Sequence, residues 1–265
     1  MEVRLRKPPG AVALLLPIVL LGLWWALTRN HPDGLIPQPG QIGSEFLDLA
    51  GLAGNNDSFS GSLWRNLLAS AGRVYGGFLL SAGIAVPLGL MIGQIPLVRR
   101  MLDSTLQILR PVPVTAWQPL FLILFGLGSH TALLLVTLGC FYPILLNTIL
   151  GVRSVEARLL EAAAMLGVSR SAIFPKVVLP SALPGIVTGL RLGLGFAWVV
   201  IVVGEISGVR TGLGAMITDA REVSRTDVVI AGMVTIGAIG FLSDRAVQLA
   251  SRRVLRWSPR HAADG

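Results

Sequence analysis

Residues 130–151 read HTALLLVTLGCFYPILLNTILG, an apolar run without a single Asp, Glu, Lys or Arg. About 20 such residues carry an α-helix across the hydrocarbon core of a bilayer. In lipid the backbone must satisfy its own polar groups, and a helix does so within one segment. Working outward, five further apolar segments occur at 11–28, 66–93, 101–126, 181–207 and 227–250. The segment at 66–93 contains Arg73, and 101–126 is broken near its start by Arg110-Pro111-Val112-Pro113. The pattern predicts an all-α polytopic membrane protein with about six transmembrane helices. Segments 66–93 and 181–207 are longer than a crossing requires, so tilt or protrusion into water is expected.

Composition points the same way. Of 265 residues, 53% are apolar and 14% charged, with a mean hydropathy of +0.71. A soluble domain carries about a quarter charged residues. The net charge of +8 does not indicate nucleic acid, because the basic residues sit in short clusters between apolar runs and form no stripe. Cys140, the lone cysteine, lies inside an apolar run and reads as a small buried side chain, with no disulfide or metal role. At the N-terminus Arg4, Arg6 and Lys7 precede the first apolar run as in a signal peptide. The run passes into Trp24 and Trp25 without a small-residue cleavage site, which predicts a retained helix.

Basic residues set the orientation. Segments 94–100, 152–180 and 251–265 hold Arg99, Arg100, Arg153, Arg158, Arg170, Lys176, Arg252, Arg253, Arg256 and Arg260, whereas 29–65 and 208–226 hold fewer, mixed with acids. The bias places both termini in the cytoplasm. The chain divides into an N-terminal helix with an outer amphipathic segment (1–60), a helical core (61–250) and a basic cytoplasmic tail (251–265). Small residues at four-residue spacing, Gly89 with Gly93 and Gly185, Gly189 and Gly193, predict close helix packing.

The loop 152–180 is the least ordinary part. Ser154 is placed to cap a short helix with Glu156 in its opening turn, and Leu159, Ala162, Ala163 and Leu166 form a small apolar face. Gly167 stands where that helix must end left-handed, and Ser169 opens a second short helix. On spacing alone the element reads equally as a docking helix or one lying on the membrane surface.

Glu161-Ala162-Ala163, three residues, Gly167, nine residues, an aliphatic Val177, and then Leu179-Pro180 resembles the cytoplasmic signature of binding-protein-dependent ABC transporter permeases. Val177 stands where Ile is usual. The resemblance extends through Arg73-Val74 to Pro87-Leu88-Gly89, Leu109-Arg110-Pro111-Val112-Pro113 with Ala116-Trp117, and Gly189-Leu190-Arg191 to Glu205, covering about residues 60–250. Within the family it is similar to permeases for sulfonates, taurine, nitrate and related small anions. Gln118 departs from the apolar residue expected there, which alters either ligand contacts or a helix contact.

The resemblance implies a permease core over 61–250 and a coupling helix between segments four and five, built on Glu161, Ala162, Ala163, Gly167, Leu179 and Pro180. It implies two cytoplasmic ATPase subunits that bind ATP and Mg, an external substrate-binding protein and a second permease copy, as a homodimer in a bacterial inner membrane. Selectivity is then expected largely in the binding protein, leaving sulfonate, taurine, nitrate and aromatic carboxylates open. The two lysines precede Pro8 and Val177, so no phosphate-binding loop is present and the chain is expected not to be an ATPase, nor to carry a cofactor.

Ionisable residues within spans are functional candidates by default. Arg191 and Glu205 are fourteen residues apart, about 21 Å on one helix, so they cannot pair but face a similar side. A role in the path or gate stands beside one of bracing neighbouring helices, and a cationic Arg191 suits an anionic solute. Asp244 and Arg245 sit near enough to a cytoplasmic end to snorkel or to pair with helix ends. Arg110, Trp117 and Gln118 are further path candidates, Trp117 as a flat wall or an interfacial anchor. Enzyme chemistry lacks support, since His31, His130 and His261 are scattered and no nucleophile elbow occurs. A stand-alone secondary transporter is the alternative, but it would require mid-membrane carboxylates, of which only Glu205 qualifies.

Overall fold

The computed structural model describes residues 10–30, 36–54, 57–206 and 208–254. His31, His261, both chain termini and the basic tail beyond 254 lie outside the described residues. Every regular element among the described residues is helical: α1 (Gly10–Thr28), α2 (Pro39–Leu49), α3 (Leu63–Gln94), α4 (Pro96–Leu109), α5 (Gln118–Phe125), α6 (Ser129–Arg153), α7 (Ala157–Met165), α8 (Arg170–Ile173), α9 (Leu179–Ile206), α10 (Leu213–Glu222) and α11 (Thr226–Val254). A short 3₁₀ turn covers Val114–Trp117, and a π turn over Phe174–Val178 joins α8 to α9.

The protein is an all-α polytopic membrane protein. Four described stretches are long and apolar enough to cross a membrane: Leu63–Gln94, Ser129–Arg153, Arg170–Ile206 and Thr226–Arg253. The segment expected as one span at 101–126 is instead two helices, α4 and α5, bent by 89° at the break. Pro111 and Pro113 explain the break, because neither offers an N–H to continue the helix ladder. Counted as one broken span or re-entrant loop, the pair brings the number to five, and Leu15–Thr28 of α1 is a shorter apolar helix.

The chain forms two compact units, Met1–Trp64 with Met216–Val234, and Arg65–Ala215 with Thr235–Gly265. In the first, Arg225 is an electrostatic hub. It pairs with Glu45 of α2 at 2.9 Å, with Asp227 at 3.0 Å and with Asp57. Ser60 donates a 2.6 Å hydrogen bond to Asp48 of α2. Burial pushes the Glu45 carboxyl above its ordinary range, partly opposed by Arg225, whereas the hydrogen bond from Arg225 holds Asp57 below its own.

The second unit is built around α6, which has twelve buried residues and is gripped by α3 and α9. Glycine makes the grip possible. A methyl group added to Gly89 would lie 2.8 Å from Thr148, and one on Gly93 2.7 Å from Val152. On α9, a methyl at Gly185 would lie 2.6 Å from the Gly151 Cα, backbone against backbone. The spacing of small residues in the sequence thus marks the lines along which helices touch.

Candidate functional site

Three polar side chains recur every seven residues along α9: Arg191, Trp198 and Glu205. Seven residues is close to two helical turns, so the three form one seam. Each is bound to another helix, and the partners decide what each can do.

Glu205, at the last turn of α9, is fully buried. Arg73 of α3 donates to it at 2.6 Å, Ser70 of α3 at 2.7 Å, and the backbone N–H of Gly214 at 2.8 Å. Arg73 also donates to the Thr211 carbonyl at 2.7 Å and to the Ser129 hydroxyl at 3.1 Å. Ser70 accepts from the Leu213 N–H at 2.8 Å, and Asn66 accepts from the Gly212 N–H at 3.0 Å. The carboxylate thereby satisfies an orphan donor at the N-terminus of α10, where the helix dipole favours negative charge. Gly212 has φ +147, and a Cβ there would collide with the Glu205 carboxylate, so the turn needs glycine. Buried charge on this scale is tolerable only because every member is paired and hydrogen-bonded. The network binds the 208–212 turn to α3.

Asn66, Ser70, Ser129 and Thr211 were not singled out in the sequence. A signal existed: Asn66, Ser70 and Arg73 follow i, i+4, i+7 spacing on an otherwise apolar helix, a polar stripe that must find partners.

At the seam's middle, Trp198 donates its indole N–H to Ser243 of α11 at 3.2 Å and meets Tyr75 edge-on with ring centres 6.2 Å apart. Tyr75 and Ser243 hydroxyls are themselves 2.8 Å apart. Two turns nearer the start of α9, Arg191 forms a two-pronged pair with Asp244, Nε to Oδ1 at 2.9 Å and Nη2 to Oδ2 at 3.0 Å. Asp244 is therefore held by a neighbouring helix instead of snorkelling, while Arg245 stacks over Phe241 at 5.0 Å. Unlike the Glu205 network, this pair is open, with side-chain exposures of 34% and 36%.

The remaining path candidates do not join the seam as a cluster. Arg110 is exposed at the break after α4. Trp117 lies half-buried with its ring 6.4 Å from Phe121. Gln118 donates to the Val203 carbonyl of α9 at 3.3 Å, so the polar departure makes a helix contact.

In the 152–180 loop, Ser154 does not cap α7. It ends α6, donating to the Gly151 carbonyl at 2.9 Å, because α6 runs on to Arg153 and the extended residue before α7 is Glu156. Gly167 terminates α7 left-handed at φ +74, with its N–H on the Ala164 carbonyl and that of Val168 on Ala163, the paired bonds of a Schellman turn. The apolar residues of α7 are covered unequally. Ala163 is buried and Leu160 packs toward Val152, Val178, Ala182 and Ile186, whereas Glu161 and Ala162 are exposed and Leu159, Met165 and Leu166 are 48%, 87% and 84% exposed. Leu179 and Pro180 form the first turn of α9, Leu179 against the same cluster. The loop is thus rooted by one side and presents an apolar tip.

No group of His, Cys, Asp and Glu suited to a metal occurs among the described residues. Over residues 85–256 the chain matches the family described as binding-protein-dependent transport system inner membrane component. It is 37% identical over 241 residues to the taurine transport system permease protein of Escherichia coli, covering 90% of this chain and 86% of the relative. Identity is also 37%, over 258 residues, with the bicarbonate transport system permease protein of Synechococcus elongatus, at 92% and 90% coverage. The methionine ABC transporter in an inward-facing form superposes with a TM-score of 0.61 over 73% of this chain and 94% of that chain; at 22% identity this is a likeness of fold.

Proposed function

This chain belongs to the family of binding-protein-dependent transport system inner membrane components, and we propose that it is the permease subunit of an ABC importer carrying a small anionic solute such as a sulfonate. The observation that carries the coupling part of this reading is the rooted loop tip. Met165 and Leu166 stand exposed at the end of a helix whose other side is anchored to α6 and α9. Paired with a groove on a cytoplasmic ATPase, that tip makes a compact apolar contact, and Gly167 fixes its direction. Relatives named for taurine and bicarbonate transport support a small solute with an anionic group.

In this reading ATP and Mg bind to separate ATPase subunits, and an external binding protein delivers the solute. A second copy of the chain completes the path. The bacterial inner membrane is crossed six times, α1 and the α4–α5 pair included, with both termini cytoplasmic. Glu205, enclosed on all sides, braces the outer end of α9, and the path candidates reduce to Arg191 and to Arg110 and Trp117 at the α4–α5 break.

Co-purification from membranes with the candidate ATPase tests the reading. Wild type captures the ATPase and supports ATP-driven uptake, whereas Leu166→Asp and Gly167→Pro lose capture. Uptake by proteoliposomes without any ATPase would replace the importer with a secondary transporter.

A further inference from the structure

We propose that Arg191, oriented by Asp244, is a water-accessible contact for an oxyanion group of the solute within the membrane; this rests on the permease reading above and assigns the solute contact that reading leaves open. The contrast along one seam carries it. Trp198 and Glu205 are buried, but Arg191 remains open. A guanidinium carries five N–H donors. Arg191 spends one from Nε and one from Nη2 on Asp244, and the remaining three meet no acceptor among the described residues.

Depth turns this openness into an inference. Arg191 lies twelve residues from the start of α9 and fifteen from its end. At 1.5 Å per residue these are about 18 and 22 Å, in a helix that must cross about 30 Å of hydrocarbon. With roughly 10 Å of α9 in excess of the hydrocarbon, Arg191 stays inside the membrane whichever end protrudes, and three unmet donors facing acyl chains there are prohibitive. The open side of the pair therefore faces water. One turn along, Gly195 leaves free space beside it, with nothing within 4 Å of where a Cβ would stand.

The chemistry fits an anion in transit. A sulfonate or carboxylate oxygen accepts charge-assisted hydrogen bonds from the free Nη1 and Nη2 donors. Asp244 holds the guanidinium plane and neutralises its net charge. Binding is then directional but shallow, so that the anion can leave as well as enter.

The test uses the full chain in native membrane vesicles, with Cys140→Ala as background and Gly195→Cys as reporter. Two thiol reagents of similar size are compared, 2-sulfonatoethyl methanethiosulfonate and its trimethylammonioethyl counterpart. The expected result is labelling by both, with ethanesulfonate slowing labelling by the anionic reagent about threefold or more by competing for the free Arg191 donors. The neutral pair Arg191→Gln with Asp244→Asn keeps a hydrogen bond between the helices and is expected to abolish that protection. Absence of labelling by either reagent overturns the proposal, since lipid or the second copy then covers this face. Protection that is missing in the Gly195→Cys reporter, or that survives in the neutral pair, overturns it equally. The readout does not depend on the ATPase, so a failed ATPase capture sinks the permease reading separately.

Discussion

Replacing Glu205 with Leu should be among the most damaging single changes in this protein. The substitution keeps the volume of a buried side chain but leaves Arg73, 9% exposed at its side chain, as a buried cation without its counter-charge. Breaking a buried pair from one side costs about 3–5 kcal/mol. The Gly214 N–H and the Ser70 hydroxyl also lose their acceptor. Each buried group left unsatisfied adds about 1–3 kcal/mol, though such costs in one network do not simply add. A total near 4 kcal/mol corresponds to a fall of roughly 8–16 °C in melting temperature at this chain length. Thermal unfolding of detergent-purified protein reads this directly. The double variant Arg73→Leu with Glu205→Leu removes both charges and should recover much of the loss, because the single variant's cost is mainly the stranded arginine. A Glu205→Leu protein melting within about 2 °C of wild type would show Arg73 solvated in some other way. A double variant as damaged as the sum of the singles would show that the two residues are not coupled.

Gly185→Ala should destabilise by roughly 1–3 kcal/mol, because the new methyl meets the Gly151 Cα at 2.6 Å and backbone cannot rotate away. Gly83→Ala in α3, where nothing lies within 4 Å, should be neutral or stabilise by up to about 1 kcal/mol, and paired melting curves separate the two. Leu166→Asp should leave the melting temperature unchanged while abolishing ATPase capture, since the side chain is 84% exposed. The pH dependence of unfolding should carry two opposite signs in the Arg225 hub. Glu45 has a raised carboxyl, so its contribution is full below its unfolded value of about 4.5 and is lost as pH rises through the higher folded value. Asp57 is lowered, so its contribution is present above about 3.8 and is lost as pH falls through the folded value. The melting difference between wild type and Glu45→Gln should therefore move against wild type as pH rises from 4 toward neutrality, as checked in buffers of constant ionic strength.

Long apolar segments were legible because their signal is summed over many residues. The runs expected at 66–93, 130–151 and 227–250 match α3, α6 and α11 to within a few residues. The glycines at 89, 93, 185, 189 and 193 likewise announced the α3–α6–α9 packing. Failures came where one or two residues decide. Pro111 and Pro113 were visible, but whether two prolines kink a span or split it depends on what packs beside the break. Ser154 has the chemistry of an N-cap, and only the extent of α6 turns it into a C-cap. At the seam, the charges were legible and their partners were not. Ser70, Ser129 and Asp244 reach Arg73, Glu205 and Arg191 across sequence separations of 53 to 135 residues, which no local pattern encodes.

The two most unusual parts of the molecule sit at opposite ends of one helical stretch. Arg170–Ile206 is helical for 37 residues, about 55 Å at 1.5 Å per residue. Its first turns pack with α7 through Phe174, Val178 and Ala182, and its last turn carries Glu205, clamped to α3 and to the start of α10. Gly185, Gly189 and Gly193 press its middle against α6 so closely that the two helices cannot slide without clashing. The regular hydrogen-bond ladder is interrupted near the start of this stretch, at the π turn Phe174–Val178 and at Pro184, which has no N–H to donate, so bending should concentrate there. In the proposed importer a push on the α7 tip is then absorbed first at this turn. Beyond it, the push reaches the outer end only as rotation of α9 and α6 together. The two ion pairs along α9 would respond differently to that rotation. Arg73–Glu205 is enclosed and must move with its surroundings, whereas Arg191–Asp244 joins α9 to α11 across an open face and is free to exchange one prong for another acceptor.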